Sequence, residues 1–384
     1  MTKLGNICKF QSGGTPAKGE SAYYGGKIPW ITTVALNGGM IGNESAIEWI
    51  TLKALRESAA KLVPAFSIMI GTRVGVGKVA INREEMSTSQ DIISLIGIND
   101  ARWSKPYICR FLQAKSDFLN AQARGATIKG IKIEVLSELD IPEITLVEQQ
   151  RIAYVFDNIS TLILKKQEQL RQMDLLIKSR FVEMFGTYPN NPMKWETGRI
   201  RDIVADVRYG SSRPAVEGGK YSYLRMNNIT YGGELDLSDT KHIDVPENEL
   251  EKCIVRRGDV LFNRTNSKEL VGKTCVYNRD EMMVLAGFII RVRVTERVLP
   301  EFLSAFLNTD FSKQMLLGMC KAAIGQANIN AQELQDIGLY LPPVELQHQF
   351  VHFKAEVDKS KLAVKQSLEK LETLKKSLMQ QYFG

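Results

Sequence analysis

The run Val271-Gly272-Lys273-Thr274 has the residue types that end a phosphate-binding loop. That motif also requires a glycine five positions before Gly272, and Ser267 stands there. The residues that follow, Cys275-Val276-Tyr277, favour a strand rather than the helix whose N-terminus would bind the phosphate. The sequence therefore does not predict a nucleotide site in this run.

His348 and His352 are four residues apart on a predicted helix, a spacing at which two imidazoles can bind one metal ion. The intervening residues contain no glutamate, and the sequence supplies no third ligand nearby. We therefore expect both side chains to face solvent and expect no metal site. No serine, histidine and acid combination has catalytic spacing either, so the chain is predicted to be non-catalytic and to have no cofactor of its own.

A different chemistry is suggested by polar and basic residues that lie in predicted loops at matching places of the two halves. Arginine suits the hydrogen-bonding edge of guanine, asparagine and glutamine suit adenine, and all of these types bind phosphate oxygens. The candidates in the first half are Thr15, Lys18, Thr33, Asn37, Thr72, Arg73, Lys78, Thr127 and Lys129. The candidates in the second half are Ser212, Arg213, Arg225, Asn227, Asn228, Asn263, Arg264, Thr265, Asn266, Lys268, Gln326 and Asn328. Any one of them could be an ordinary surface residue, but their double occurrence favours recognition of DNA.

Composition adds only weak support for nucleic-acid binding. The net charge of +7 is spread along the chain and forms no basic arm. The five cysteines are scattered without a Cys-x-x-Cys pair, which indicates reduced thiols rather than disulfides or a zinc site. The first residues lack the apolar core of a signal peptide, and the longest apolar run, 282–290, is too short to span a membrane. We therefore expect a cytoplasmic protein without membrane contact.

The framework that must hold these loops is indicated by a repeat of about half the chain. A shift of 198 positions lays residues 131–186 over 329–384 without a gap, and both copies end in Phe-Gly. Apolar residues recur in heptads within each copy, so each predicts one long helix, and a long apolar stripe is buried most simply by antiparallel packing of the two. The heptad residues are Ile152, Phe156, Ile159, Ile163, Leu170, Met173, Ile177 and Met184, then Phe350, Val357, Val364, Leu371 and Leu378, with Phe353, Leu368 and Leu374 beside them.

The segments that precede the two helices share one plan of short strands, glycine-rich turns and helices. Residues 27–36 match 220–229, and the strand-loop-strand segment that contains Thr72 matches the one that contains Arg264. We predict an α+β fold with a pseudo-twofold internal repeat, in which two similar globular domains are separated by two long antiparallel coiled-coil helices. The predicted boundaries are 1–144 for the first domain, 145–186 for the central helix, 187–342 for a linker with the second domain, and 343–384 for the C-terminal helix.

In their order and double occurrence these features resemble the DNA-specificity (S) subunit of type I restriction-modification systems, over essentially the whole chain. The resemblance rests on the repeat, on the runs 70–80 and 125–131, and on the segment from Ile329 to Pro343 that leads into the second helix. It implies two target-recognition domains, each of which reads one half of a bipartite site in double-stranded DNA. It also implies that the helices dock two modification (methyltransferase) subunits, which two restriction (translocase-nuclease) subunits join. S-adenosylmethionine, ATP and Mg²⁺ would then belong to those partners.

Three other interpretations stay open at this point. The chain could be the specificity subunit of a methyltransferase-only or type II-like system, which the sequence does not distinguish. A coiled-coil scaffold that binds only protein would leave a reconstituted complex with no preference among duplexes. A nucleotide-dependent enzyme would turn over ATP or S-adenosylmethionine as the purified chain.

Overall fold

The computed structural model describes residues 1–123, 130–320 and 327–384. These residues form two compact units. Unit 1 comprises Met1–Lys166 and Gln366–Gly384, and unit 2 comprises Gln167–Lys365. Each unit therefore contains one globular domain, one part of the central helix and one part of the C-terminal helix.

The globular part of unit 1 is a mixture of short strands and helices, as the sequence predicted. Its strands are β1 (Thr2–Lys3), β2 (Lys9–Ser12), β3 (Tyr24–Ile31), β4 (Met40–Ile41), β5 (Glu48–Ile50), β6 (Leu62–Val63), β7 (Ile68–Gly71), β8 (Val79–Asn82), β9 (Met86–Thr88), β10 (Ile92–Ile96) and β11 (Asp140–Ile141). Its helices are α1 (Leu52–Glu57), α2 (Lys105–Ala114), α3 (Ser116–Gln122) and α4 (Ile133–Ser137), and the long central helix α5 (Leu146–Phe185) follows. Short 3-10 helices lie at Leu4–Asn6, Ser21–Tyr23, Thr33–Ala35 and Asn43–Ser45.

Two main sheets form the frame of this domain. One has the strand order β2-β10-β7-β8-β4, the other has the order β5-β3-β9-β6, and β1 pairs with β11 where the chain approaches α5. The β3–β9 pair is parallel, whereas β5 pairs antiparallel with β3, and β6 pairs antiparallel with β9. In the repeated segment 27–36 the strand β3 ends at Ile31, because the chain turns there into the 3-10 helix Thr33–Ala35.

Unit 2 contains the same kinds of element after α5. Its strands are β12 (Glu196–Arg199), β13 (Val204–Tyr209), β14 (Tyr221–Leu224), β15 (Lys241–Ile243), β16 (Ile254–Val255), β17 (Val260–Asn263), β18 (Thr265–Asn266), β19 (Thr274–Val276), β20 (Met283–Leu285), β21 (Ile289–Val294), β22 (Ala327–Asn328) and β23 (Gly338–Leu341). Its helices are α6 (Glu247–Cys253), α7 (Pro300–Leu307), α8 (Asp310–Met319), α9 (Ala331–Gln335) and the long α10 (Val344–Phe383). Short 3-10 helices lie at Ile200–Ile203 and Met226–Asn228.

The sheets of unit 2 repeat those of unit 1, except that β4 and the β18–β22 pair have no counterpart among the described residues. The order β13-β21-β17-β19 corresponds to β2-β10-β7-β8, and β15-β14-β20-β16 corresponds to β5-β3-β9-β6. The single parallel pair in the second sheet recurs as β14–β20, and β12 pairs with β23 as β1 pairs with β11. The internal repeat predicted from the two long helices therefore extends through both globular domains.

The two long helices begin and end within one residue of the ranges predicted for them. Thr145 caps the first, because its hydroxyl accepts the Glu148 N–H at 3.3 Å. The predicted heptad residues of α5 are all buried or half-buried, whereas Leu164 and Leu176 outside the heptad are exposed. On α10 the predicted heptad line is likewise the less exposed one, but Leu374 is wrong as a member of the buried side, since 47% of it is exposed.

Aromatic contacts show that the helices run antiparallel within each unit. In unit 1 the ring of Phe156, near the start of α5, stacks with that of Phe383 at the end of α10, with centroids 6.0 Å apart. In unit 2 the ring of Phe181, near the end of α5, meets that of Phe350 near the start of α10 at 5.3 Å. Phe383 also packs on Tyr107 of α2, so the end of one helix completes the core of a domain far away in the sequence.

A buried glutamine near the start of each long helix joins that helix to its own domain. The amide oxygen of Gln149 accepts the Ser104 N–H at 2.9 Å, and its amide nitrogen donates to the carbonyls of Arg102 and Ile144. Gln347 makes the same three bonds in unit 2, to the Leu299 N–H at 2.8 Å and to the carbonyls of Arg297 and Pro342. Because both amides are buried and satisfied, they fix the direction in which each helix leaves its domain.

Candidate nucleic-acid interface

The same backbone connection holds one edge of each domain. In unit 1 the Thr72 N–H, just after β7, donates to the Asp91 carbonyl at 2.8 Å, and the Thr72 carbonyl accepts the Ile131 N–H at 2.8 Å. In unit 2 the Arg264 N–H, just after β17, donates to the Phe288 carbonyl, and its own carbonyl accepts the Ile329 N–H, both at 2.9 Å. Thr72 and Asp91 are therefore equivalent to Arg264 and Phe288, on one frame with different side chains.

A second connection repeats at the neighbouring loop. The indole N–H of Trp30 in β3 donates to the Gly14 carbonyl at 3.1 Å, and the hydroxyl of Tyr223 in β14 donates to the Ser211 carbonyl at 3.2 Å. Trp30 and Tyr223 are different side chains at equivalent positions, yet each holds the loop that follows β2 in unit 1 or β13 in unit 2. The loops that carry the predicted residues are thus supported by the sheets in both units.

In unit 2 these loops enclose a cleft of about 500 Å³. It brings together predicted residues that lie as much as 52 positions apart in the sequence, because β13, β14, β17 and β20 end at the same edge. The predicted residues that line it are Ser212, Arg213, Arg225, Asn227 and Arg264. The structure adds Phe288, whose ring is 50% exposed at the turn between β20 and β21.

Two of the three arginines in this cleft are paired with acids. Arg213 binds Glu249 through two nitrogens at 3.1 and 2.8 Å. These hydrogen bonds raise the pKa of Arg213 and lower the pKa of Glu249. Arg225 donates to the Asp239 carboxylate at 2.7 Å. The charges of Arg213 and Arg225 are therefore largely compensated within unit 2.

Arg264 is held in another way. Its guanidinium carbon lies 4.9 Å from the centroid of the Tyr209 ring, and one terminal nitrogen makes a long contact of 3.4 Å with the Gly287 carbonyl. Within residues 1–123, 130–320 and 327–384 it has no acidic partner. The half-buried side chain is therefore fixed by stacking, while most of its donors stay available.

Three other predicted residues of unit 2 have buried side chains that support the loops. Asn228 accepts the Arg225 N–H at 2.8 Å and donates to the carbonyls of Asp236 and Asp239. Asn263 donates to the carbonyls of Thr265 and Phe288. Thr265 donates its hydroxyl to Asn328, and Asn266 donates to the side-chain oxygen of Asn263. The side chains of Asn228, Asn263 and Thr265 are committed to this framework, Asn266 is half-buried, and Asn328 and Lys268 are exposed.

Lysines at equivalent positions of the two units differ in burial, since Lys273 is buried in unit 2. The Lys273 ammonium donates to the Met226 carbonyl at 2.7 Å, beneath the turn that carries Asn227, and burial lowers its pKa. Its equivalent in unit 1 is Lys78, since the Gly71 N–H bonds to the Lys78 carbonyl as the Asn263 N–H bonds to that of Lys273. Lys78 is exposed.

The predicted residues of unit 1 divide into supporting and exposed groups. Thr33 and Thr72 are buried, and the Thr72 hydroxyl bonds to the Asp91 carbonyl at 3.2 Å. Thr15 is half-buried and accepts the Gln90 N–H. The exposed members are Lys18, Asn37, Arg73 and Lys78. Thr127, Lys129 and Gln326 lie outside the described residues.

The residues that contact the arginines were not among those predicted from the sequence. Phe288 lies in the apolar run 282–290, which was considered only as too short to span a membrane, and the turn at Gly287 and Phe288 leaves this residue exposed. Tyr209, Glu249 and Asp239 could be found only from the way in which the strands bring distant loops together. A glycine within an apolar run was the one local indication of a turn.

The described residues contain no group of three or more histidine, cysteine or acidic side chains that could hold a metal ion. In the same part of the chain, no helix combines the length and apolar character that crossing a bilayer requires.

Comparison with known proteins agrees with this architecture. The family described as "Type I restriction modification DNA specificity domain" matches residues 1–172 and 192–374, one match for each repeat. The chain is 29% identical over 260 residues to the type I restriction enzyme MjaIX specificity subunit of Methanocaldococcus jannaschii, which covers 62% of this chain and 60% of that protein. It is 24% identical over 285 residues to the EcoKI specificity subunit of Escherichia coli, covering 69% of this chain and 61% of that protein. The matches thus span about three fifths of the length of these relatives.

Solved structures share the whole fold. The S subunit of a type I restriction-modification system from M. genitalium superposes with a TM-score of 0.56 at 14% identity, covering 100% of this chain and 95% of that one. A chain from a study of complex assembly and conformational transition of the type I system superposes with a TM-score of 0.62 at 17% identity, covering 100% of this chain and 96% of that one.

Proposed function

Because the chain belongs to the type I restriction-modification DNA specificity family, we propose that it recognises a bipartite site in double-stranded DNA, with one globular domain for each half-site. The observation that carries this proposal is the repeated frame with unlike side chains. Thr72 with Asp91 and Arg264 with Phe288 are held by equivalent backbone hydrogen bonds at the same edge of two equivalent domains. Loops that differ on a shared scaffold are expected where two domains bind different sequences.

The exposed residues of these loops have the chemistry that DNA requires. The exposed donors are Arg73, Lys78 and Lys18 in unit 1 and Asn227 and Lys268 in unit 2, and half-buried Arg264 adds the donors that stay open to the cleft. The buried members hold the loops rigid, which reduces the entropy lost on binding. In this proposal, recognition rests on the exposed group, and the buried asparagines and threonines act by positioning it.

The chain contributes recognition and assembly rather than catalysis in this proposal. We place the methyltransferase and translocase-nuclease reactions, with their S-adenosylmethionine, ATP and Mg²⁺, in two modification and two restriction subunits that assemble on the long helices. Exposed apolar side chains on α5, such as Leu164 and Leu176, support a role of that helix in binding protein. The complex would act in the cytoplasm, where its substrate DNA lies.

The test is equilibrium binding of the chain, assembled with its modification subunits, to a library of duplexes. We expect selection of two short sequences at a fixed interval. Arg73→Ala should weaken recognition of one half-site and Arg264→Ala that of the other, each by about 1–3 kcal/mol if the side chain contacts a base. Equal binding of all duplexes by the wild-type complex would refute DNA recognition and favour a scaffold that binds only protein.

A further inference from the structure

The cleft of unit 2 contains one arginine whose charge is not compensated by an acid within the described residues. Arg213 and Arg225 are paired with Glu249 and Asp239. Arg264 instead lies on the Tyr209 ring, and its Nε atom is buried without a hydrogen-bond partner among the residues that the structure describes. Its remaining donors are therefore the ones in this cleft that an incoming acceptor can use at least cost.

The position of Arg264 is set before any ligand binds. Its backbone is bonded on both sides, to Phe288 and to Ile329, and Tyr209 covers one face of its guanidinium. A planar fork that is already oriented suits a pair of acceptors, such as the O6 and N7 atoms on the major-groove edge of guanine. The same fork also matches two oxygens of a phosphate group, and replacement of the guanine N7 atom distinguishes the two acceptors.

Phe288 lies at the same edge and has a different chemistry. Its carbonyl accepts the Arg264 N–H, which ties the two backbones together, and the residue is 50% exposed. An exposed aromatic residue in the cleft that Arg264 also lines, where the lining is largely apolar, offers a contact for the 5-methyl group of thymine.

The equivalent edge of unit 1 has another character. Thr72 replaces Arg264 and is buried, with its hydroxyl bonded to the Asp91 carbonyl, and half-buried Asp91 replaces Phe288. A carboxylate at this place accepts hydrogen bonds, for example from a cytosine amino group, and repels phosphate. The pair therefore carries a positive charge in unit 2, on Arg264, and a negative charge in unit 1, on Asp91, which stands at the other position of the pair.

On the basis of the proposed function, we propose that Arg264 and Phe288 are the specificity-determining pair of unit 2. Arg264 donates to the O6 and N7 atoms of one guanine, and Phe288 contacts the 5-methyl group of a neighbouring thymine. Thr72 and Asp91 give unit 1 a half-site with a different sequence.

The experiment asks whether the affinity lost on removing one atom group of the DNA depends on one side chain of the protein. The assembled complex is titrated with duplexes in which each guanine is replaced in turn by 7-deazaguanine, which lacks the N7 acceptor, or each thymine by uracil, which lacks the methyl group. We expect one 7-deazaguanine to weaken wild-type binding about 5- to 150-fold and to leave binding by Arg264→Ala unchanged. A neighbouring uracil should weaken wild-type binding about 4-fold and leave Phe288→Ala unaffected.

Control variants separate this inference from the proposed function. Arg257→Ala removes an exposed arginine that pairs with Asp280 and does not line the cleft, so it should keep the full effect of 7-deazaguanine. Arg264→Lys keeps the charge. Wild-type affinity of this variant, together with a wild-type complex that is insensitive to 7-deazaguanine at every guanine, would show a phosphate contact and overturn the proposal. A selective wild-type complex without coupling at any guanine would overturn this inference alone. A wild-type complex that binds every duplex alike would overturn the proposed function with it.

Discussion

The buried glutamine near the start of each long helix offers a sharp test of how the domains are held. Replacement of Gln347 by leucine keeps most of the side-chain volume but removes three hydrogen bonds of 2.8 to 3.2 Å. The Leu299 N–H would lose its acceptor, which costs about 1–3 kcal/mol, and the two carbonyls would add about 1 kcal/mol together. We therefore expect the junction between α7 and α10 to be destabilised by about 2–4 kcal/mol.

Hydrogen–deuterium exchange of the full-length chain measures this loss locally. A destabilisation of that size lowers the protection of amides around the junction roughly 30- to 900-fold. Gln149→Leu should produce the same loss around Ser104 in unit 1 instead, and Gln349→Leu, on the exposed face of α10, should leave protection unchanged. The proposed role of Gln347 is refuted if amides of Gln347→Leu exchange at the wild-type rate, or if protection falls equally in both units.

Three further predictions concern the rest of the framework. Phe383→Ala should destabilise unit 1 by about 3–5 kcal/mol, measured as early loss of protection in its core, because the ring packs within that core. Burial alone would raise the pKa of Glu234, but hydrogen bonds from Lys361 and Lys365 outweigh it and lower the pKa to about 2. A carboxyl whose pKa is lowered on folding stabilises the protein above its ordinary pKa, which is 4.5 for Glu234, and this contribution is lost as the pH falls towards 2. Glu234→Gln has no such contribution to lose. Its melting temperature should therefore fall less than that of the wild type between pH 5 and pH 3. Insertion of four residues near Gln167 should change the length of the spacer between the half-sites and leave each half-sequence intact. An unchanged spacer in the methylated sites of this variant would contradict the prediction.

Much of the framework could be predicted because its evidence is local in sequence. The helices α5 and α10 follow from heptads that continue over many turns, and their ends were marked by Thr145 and by the Phe-Gly repeats. The bonds of Gln149 and Gln347 could not be predicted, although the two residues aligned in the repeat. Their partners lie 45 and 48 residues away, and no periodicity specifies such contacts.

The exposure of the candidate residues could not be predicted from their residue types. Thr72 and Arg73 are neighbours of similar polarity in a loop, yet one is buried and the other exposed, because the register of the strand before them decides which side chain points inward. Phe288 was missed for the opposite reason, since an apolar residue suggests burial unless the turn at Gly287 is known. Pairing of Arg213 and Arg225 with acids depends on contacts between distant loops.

The central claim is that one duplicated frame carries two unlike DNA-reading edges. Sequencing of methylated DNA from cells that contain this chain and its modification subunits tests that claim most directly. We predict a motif of two different short sequences separated by a fixed, unspecified spacer. A single continuous motif, or two identical half-sites related by symmetry, would contradict it.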